Sequence, residues 1–326
     1  MAFHTILDSG NALNMRFNDG LPTMDDGLAF YLSQLSFLES KVYEVKYANI
    51  IWQDLIPVIN VPEYVDEWNY MSFDGTTKAD FIGSSAMDLP LVDVENALSS
   101  SKVFQSGIAY EYSIDELRKA QALRINLDQT KMQQAVRGVQ EHIQEVAFTG
   151  NSARSITGLF NDALVNVQTS TSDFSNDAQA ARVFLQNIMS TMWQSSKMVN
   201  VANLLLLPPS VFALLDNTPS IVVANGAAYQ TELQFLKNNN IYTSITGAPL
   251  NIRAVNQLET AGANGGLRCV AYELNDENLA LPMSVSQRFL PPQPRQLMLN
   301  IPSECRFGGV GLRYPGAFIY GDNLGG

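Results

Sequence analysis

The chain has two cysteines, two histidines and no basic run of four residues, and each shortage removes a class of function. Cys269 and Cys305 have neither a CxxC spacing nor a nearby histidine, which excludes a zinc knuckle and a dithiol redox motif. Both fall in strand-like segments and read as small buried hydrophobes in a reducing compartment. With only His4 and His142, a Ser-His-Asp or Cys-His relay has almost no material. His142 lies on a helix between Glu141 and Ile143 and reads as a solvated or interface position. Zincin, P-loop, nucleophile-elbow and EF-hand signatures are all missing. Gly308, Gly309 and Gly311 lead into a strand pattern, so they offer no helix N–H groups to a phosphate. No metal or cofactor is expected, and no enzyme activity.

Charge is also sparse. Charged residues make up 16% of the chain, against about 25% in an average domain. The formal net charge is −12. Phosphate contacts need clustered Lys and Arg, so tight electrostatic binding to nucleic acid is excluded, and the acidic balance reads as a solubility device. A low charged fraction also fits a chain that hides surface against other subunits. No apolar run approaches the length of a membrane span. The first residues, MAFHTILDSGNALNMRF, lack the basic and apolar regions of a secretory signal. The paired acids Asp25-Asp26 and Asp115-Glu116 lie in an arm and in a helix first turn, where negative charge suits the dipole without catalysis.

What is present is a chain of 326 residues, 46% apolar, long enough for one two-lobed domain or two domains. The most decodable stretch is Glu111 to Asp162. Ser113 and Glu116 form a capping box, and Asp128 opens a second helix. Met132, Val136, Val139, Ile143 and Val146 then fall on one stripe, widened by Ala135 and Ala147. The opposite face carries Gln133, Gln134, Arg137, Gln140, Glu141 and Gln144 and is expected to be contact surface rather than solvent face. Residues 128 to 148 make a rod of roughly 30 Å, with Gly150 as its stop. One stripe needs one partner surface, expected to be a sheet. Arg118, Lys119, Arg124, Lys131 and Arg137 lie along the two helices opposite enough acids for surface ion pairs.

Around this stretch, residues 1–40 read as an arm with a helix from Leu28 to Leu38 and too few apolar residues to fold alone. Residues 41–66 are strand-like, with Pro57 and Pro62 marking edges or strand ends. Residues 67–102 read as a long two-stranded loop with a hairpin turn at Asp74-Gly75. Residues 163 to 177 look like a polar linker ending in an Asp177 cap for a helix from Ala178 to Met192. Within 165–262 a buried strand Leu204 to Leu207, short helices to Leu215 and over Glu232 to Lys237, and strands at Ile241 to Ile245 and Leu250 to Val255 suggest an inserted α/β lobe. Late strands RCVAYEL, RQLMLNIP and VGLRYPGAFIY, within 263–326, are expected to pair with strands before the long helix and supply its sheet.

This order resembles the major capsid protein fold of tailed bacteriophages, the Hong Kong 97 type. The similarity extends to a phage-capsid family that carries a Pro-x-Val-Asp segment, like Pro90-Leu91-Val92-Asp93, and YSIDEL, like Tyr112 to Leu117. Its long helix starts with Leu-Asp, like Leu127-Asp128, and a Gly-Leu-x-Asn segment follows, like Gly158 to Asn161. A Leu-Pro-Met strand and a Gly-Gly-Val segment leading to Pro-x-Ala match Leu281-Pro282-Met283 and Gly308 to Ala317. The resemblance spans about two thirds of the chain and is poor over residues 165–260. It implies an α+β fold with an N-arm (1–40), P-domain strands (41–66), an extended two-stranded E-loop (67–102), a P-domain with a long spine helix over an antiparallel sheet (103–164), an inserted α/β A-domain (165–262) and P-domain return strands (263–326).

The resemblance further implies a structural protein of the virion capsid. Copies would assemble in the host cytoplasm into hexamers and pentamers of an icosahedral head around double-stranded DNA, which they contact weakly and non-specifically. Expected partners are other copies, a separate scaffolding protein, a portal and a decoration protein, with no membrane. Residues expected at contacts between subunits are Asp74, Gly75, Lys78, Arg118, Arg137 and Glu141. Some members of the fold join a loop Lys covalently to a neighbour's Asn. Lys78 is the one lysine placed for it, but no matching Asn or activating acid is identified, and a solvated Lys is the favoured reading. Two other readings stand beside the phage shell: an encapsulin-type compartment enclosing a cargo enzyme, disfavoured by the polar arm, and an enzyme dependent on His142 or another single polar residue.

Overall fold

A computed structural model describes residues 49–76, 93–116, 118, 127–170, 173–220 and 230–323. From Ile50 on they belong to one compact unit. The expected arm, the strands before Asn49, the Pro90-to-Val92 motif and Lys78 lie outside the described residues. In chain order the elements begin with α1 (Trp52–Leu55), β1 (Val58–Asn60), β2 (Glu67–Thr76), β3 (Asp93–Ser113), α2 (Leu127–Thr149), β4 (Asn166–Thr169) and α3 (Ala178–Ser195). There follow β5 (Leu204–Leu207), α4 (Pro209–Asn217), α5 (Glu232–Asn238), α6 (Ile241–Thr246), β6 (Asn251–Ala254) and β7 (Arg268–Tyr272). The last are β8 (Leu279–Phe289), β9 (Gln293–Arg295), β10 (Met298–Gly308), β11 (Gly311–Leu312) and β12 (Phe318–Asp322).

The first sheet runs β1-β8-β10-β3-β2, with β9 on β10 and β11 on β8. β3 is one uninterrupted strand of 21 residues, about 70 Å of extended chain. Its second half pairs antiparallel with β10, from Val103 opposite Gly308 to Ser113 opposite Met298. Its first half pairs antiparallel with β2, from Asp93 opposite Thr76 to Lys102 opposite Glu67. Pro57 and Pro62 flank β1, the edge strand at the other side, as their missing N–H groups require.

The second sheet runs β4-β12-β7-β5-β6, with β4 parallel to β12 and β6 parallel to β5. Its central strands β12, β7 and β5 are buried on both faces, and their alternation sorts residues into two cores. Leu204, Leu206, Val270, Tyr272, Phe318 and Tyr320 join α2 and the first sheet in one cluster. Leu205, Leu207, Cys269, Ala271 and Ile319 join α3, α4 and α5 in the other. This explains why β5 reads as four consecutive leucines: a strand covered on both sides has no solvent face. At Gly321 an added Cβ would overlap Ile188 of α3, so the absent side chain sets how closely that helix packs.

The long helix buries Ala135, Val139, Ile143, Val146 and Ala147, while Met132 and Val136 at the start of the stripe remain 42% and 36% exposed. Part of the Gln-rich face turns to the chain itself. Gln140 Oε1 accepts from Trp52 Nε1 at 3.1 Å, and Gln144 Oε1 accepts from the Ile51 N–H at 2.8 Å. The capping box at Ser113 and Glu116 forms with both reciprocal bonds.

The end of α2 is built by residues that follow it. Gly150 takes φ +70 and stops the helix. The carbonyls of Ala147, Phe148 and Thr149 have no partner further along the helix. They accept from Leu159 N at 2.8 Å, Phe160 N at 3.0 Å and Asn161 Nδ2 at 2.6 Å. Asn161 Oδ1 accepts in turn from Gly158 N. Two groups of the second sheet then reach the same segment: Tyr320 Oη donates to Leu159 O at 2.6 Å, and Arg268 donates to Phe160 O. Arg268 also pairs with Asp322, which is 2% exposed at its side chain.

Several expectations need correction. Asp74 and Gly75 are not a turn but sit within β2, opposite Glu95 and Val94, because strand pairing continues past them. Ile241 to Ile245 is helical: Asn240 Oδ1 caps Thr243 N and Gly247 closes the other end at φ 74, so the caps override the β-branched residues. The stretch read as a polar linker contains β4. Of the late strands, only β10 pairs with β3, whereas β7 and β12 pair within the second sheet.

Gly158→Ala is expected to destabilise by about 3 kcal/mol or more, since its Cβ would overlap the backbone of Gly150 and Phe148. Gly316→Ala, with open space around it, should be near neutral in the same thermal melt. Asn161→Ala should cost about 1–2 kcal/mol, mostly by leaving the part-buried Gly158 N–H without its acceptor, since the Thr149 carbonyl is exposed.

Candidate functional site

Side chains on the β2–β3 ribbon alternate between its faces, so residues 68 and 70 share one face and 67, 69 and 71 the other. Trp68 and Tyr70 lie ring to ring at 4.8 Å against Gly311, where a side chain would overlap the Trp68 ring. Tyr70 Oη donates to Leu312 O at 3.3 Å, and Arg313 stacks 5.4 Å above Trp68. Burial pushes the Tyr70 phenol pKa up. That face is therefore occupied by the chain itself. On the other face Met71 and Leu98 stand directly opposite one another, 63% and 66% exposed.

The segment entering the ribbon is held by arginines of β8 and β10. Arg306 donates to Glu63 O and to Val65 O at 3.0 Å and pairs with Asp66. Arg288 bridges Glu63 at 3.2 Å and Glu304, and Gln105 Nε2 donates to Glu304 at 2.7 Å. An isolated exposed ion pair contributes about 0–1 kcal/mol. A shared network with backbone acceptors does more to fix direction than to add stability.

A second exposed apolar group lies where α2 crosses β3. Ile108, Met132 and Val136 are 38%, 42% and 36% exposed. Gly138 lets the helix approach, because a Cβ there would meet Ile108 Cδ1 at 3.3 Å.

The contact residues expected from sequence are scattered. Asp74 and Gly75 are on the ribbon, and Lys78 lies outside the described residues. Arg118 pairs with Asp115 at 3.8 Å with both side chains 75% exposed. Arg137 pairs with Glu141 at 2.7 Å, one helical turn apart. The structure brings none of these three groups together. Met71, Leu98, Arg288 and Arg306 were not anticipated. The available signal was parity: once Trp68 and Tyr70 are placed on one face, Met71 must be on the other.

Burial raises the pKa of both thiols, Cys269 and Cys305, so neither is a ready nucleophile. Among the described residues no group of three or more metal-ligating side chains converges, and no helix is long and apolar enough to cross a membrane. The arrangement can bury apolar side chains against another surface and hold a ribbon in a fixed direction while doing so.

Arg306→Ala is expected to raise amide exchange at residues 63–67 at least several-fold, with exchange in Leu204–Leu207 unchanged. Equal acceleration in both segments would mean that Arg306 supports the whole fold.

A family model described as major capsid protein matches residues 77–324 of the chain. No curated protein sequence matches it. Among solved structures, the capsid of Myoviridae Phage XM1 aligns at 15% identity over 94% of this chain and 100% of that one, with TM-score 0.74. A chain of Gordonia phage Cozz aligns at 12% identity over 94% and 97%, with TM-score 0.61. A virus-like particle from Pyrococcus furiosus aligns at 11% identity over 82% and 91%, with TM-score 0.52. At such identities the likeness concerns the fold.

Proposed function

The chain belongs to the major capsid protein family, and on that premise we propose how it builds a shell. It is a shell protein of a bacteriophage head with the Hong Kong 97-type fold. Copies associate with one another, and the exposed ribbon face serves that association. The observation that carries this reading is the Met71–Leu98 pair: two large apolar side chains displayed together on a ribbon whose opposite face is already packed. Fully burying such a side chain is worth about 1.5–3 kcal/mol. A closed shell repeats the gain at every copy.

In this proposal the ribbon over 67–102 is the E-loop lying on a neighbouring subunit. The second sheet and α3 to α6 form the A-domain, and α2 is the spine of the P-domain. Asp74, Gly75 and Lys78 in the ribbon and Arg118, Arg137 and Glu141 on the helices touch neighbouring copies. The copies form hexamers and pentamers of an icosahedral head around double-stranded DNA, assembled in the host cytoplasm with a scaffolding protein, a portal and a decoration protein. The acidic balance, −12 overall, suits a wall that does not grip its genome. The protein performs no catalysis. An encapsulin-type compartment is the lesser alternative. Purified particles holding a cargo enzyme and no packaged genome would favour it.

The double variant Met71→Ser, Leu98→Ser should keep the thermal midpoint of the subunit while raising the concentration needed for assembly at least about tenfold, the equivalent of about 1.4 kcal/mol per contact. Electron microscopy and light scattering read the outcome. Unchanged assembly would remove the ribbon face from the contact.

A further inference from the structure

A cavity of ≈ 380 Å³ opens between β3 and α2, beside the crossing at Ile108 and Gly138, and it plays no part in the ribbon contact proposed above. Two nitrogen-bearing side chains line it from different elements. Arg154, in the turn after α2, stacks 5.0 Å from the Phe104 ring. His142, on α2, places Nε2 3.4 Å from Ser106 Oγ and its ring edge-on to Phe307 at 5.8 Å. Phe104 and Ser106 share one face of β3 two residues apart, about 7 Å along the strand. Arg154 and His142 therefore stand over adjoining positions.

No Asp or Glu lines the cavity. Glu141 is engaged by Arg137, and Glu145, one turn along α2 from His142, is exposed outside the lining. The buried Cys305 thiol at the floor has its pKa raised by desolvation, so it stays neutral and does not compete for cations. Arg182, Arg268, Arg288 and Arg306 each have a carboxylate partner, whereas Arg154 forms no ion pair among the described residues. Arg253, Arg295 and Arg313 also lack an ion pair among the described residues, but none of them lines this cavity, which Arg154 enters with no acid beside it.

We propose that this cavity is an oxyanion site in which Arg154, His142 and Ser106 hold a carboxylate or phosphate group. A guanidinium stacked on an aromatic face keeps its edge N–H groups free for a bidentate acceptor. The Ser106 hydroxyl and the imidazole supply the remaining hydrogen bonds. The group is either a free anion or a carboxylate on a second copy, and the chemistry of recognition is the same.

The test uses full-length subunits kept dilute, with inorganic phosphate as the probe and chloride at equal ionic strength as the control. The ring signals of the two histidines are followed by NMR and assigned with His4→Gln. A saturable shift of the His142 signals, weakened at least tenfold in Arg154→Gln, establishes the site with a free anion. If dilute subunits show no shift, but phosphate raises the assembly concentration of the native chain severalfold and leaves that of Arg154→Gln unchanged, the occupant is a second copy's carboxylate. Only this second arm rests on the assembly reading above. A response identical in Arg154→Gln, or none in either arm, overturns the proposal. His142→Gln, which keeps the arginine, should give an intermediate phosphate effect on assembly.

Discussion

The last turn of the long helix leaves carbonyls that cannot be satisfied within the helix, and the structure is organised around how they are paired. Gly150 reverses the chain so that residues 158–161 return across the helix end and donate two backbone N–H groups and one side-chain amide. Gly158 has to be glycine because the returning backbone passes too close for a Cβ. The same four-residue segment then offers its own carbonyls to Tyr320 and Arg268 of the second sheet. A helix end, a reversal and an inter-sheet joint are thus one hydrogen-bonded assembly. Gly158, Leu159 and Phe160 are buried, so losing a partner there costs more than losing the exposed Asn161–Thr149 bond would.

From that joint the two sheets take different tasks. The central strands of the second are covered on both faces, and β7 contributes Tyr272, whose hydroxyl donates to Leu55 O at 2.8 Å. The first sheet carries β3, which changes partner from β2 to β10 between Lys102 and Val103 without interruption. Because the ladder is continuous, the ribbon inherits its direction from the body of the sheet. Arg306 and Arg288 fix the chain that enters it. A surface that must meet a neighbour in one geometry gains from such a support, since less freedom remains to be lost on contact.

Local rules of sequence carried a good part of this fold. The capping box at Ser113, the α2 stripe, the Asp177 cap and the Leu204–Leu207 strand are all present, because each depends on residues near one another in the chain. Misreadings occurred where two local signals competed or where pairing was long-range. Asn240 and Gly247 outvoted the β-branched run between them. Asp74-Gly75 has the composition of a turn, yet the ladder passes through it. β7 and β12 alternate like any buried strand, and nothing in their own residues says which sheet will receive them.

The sequence by itself determined that zincin, P-loop, nucleophile-elbow and EF-hand signatures are missing, that the chain carries one long capped helix, and that its motif order resembles a shell subunit. Those conclusions rest on residue types, spacings of three and four, and counts, which do not change on folding. Only the tertiary structure decided that the Gly-Leu-Phe-Asn segment caps α2 from outside, that Met71 and Leu98 face outward together, and that Arg154 and His142 share a cavity. Each of these joins residues separated by a reversal or a crossing of elements. Contacts of that kind are set by register and packing, which no local pattern encodes.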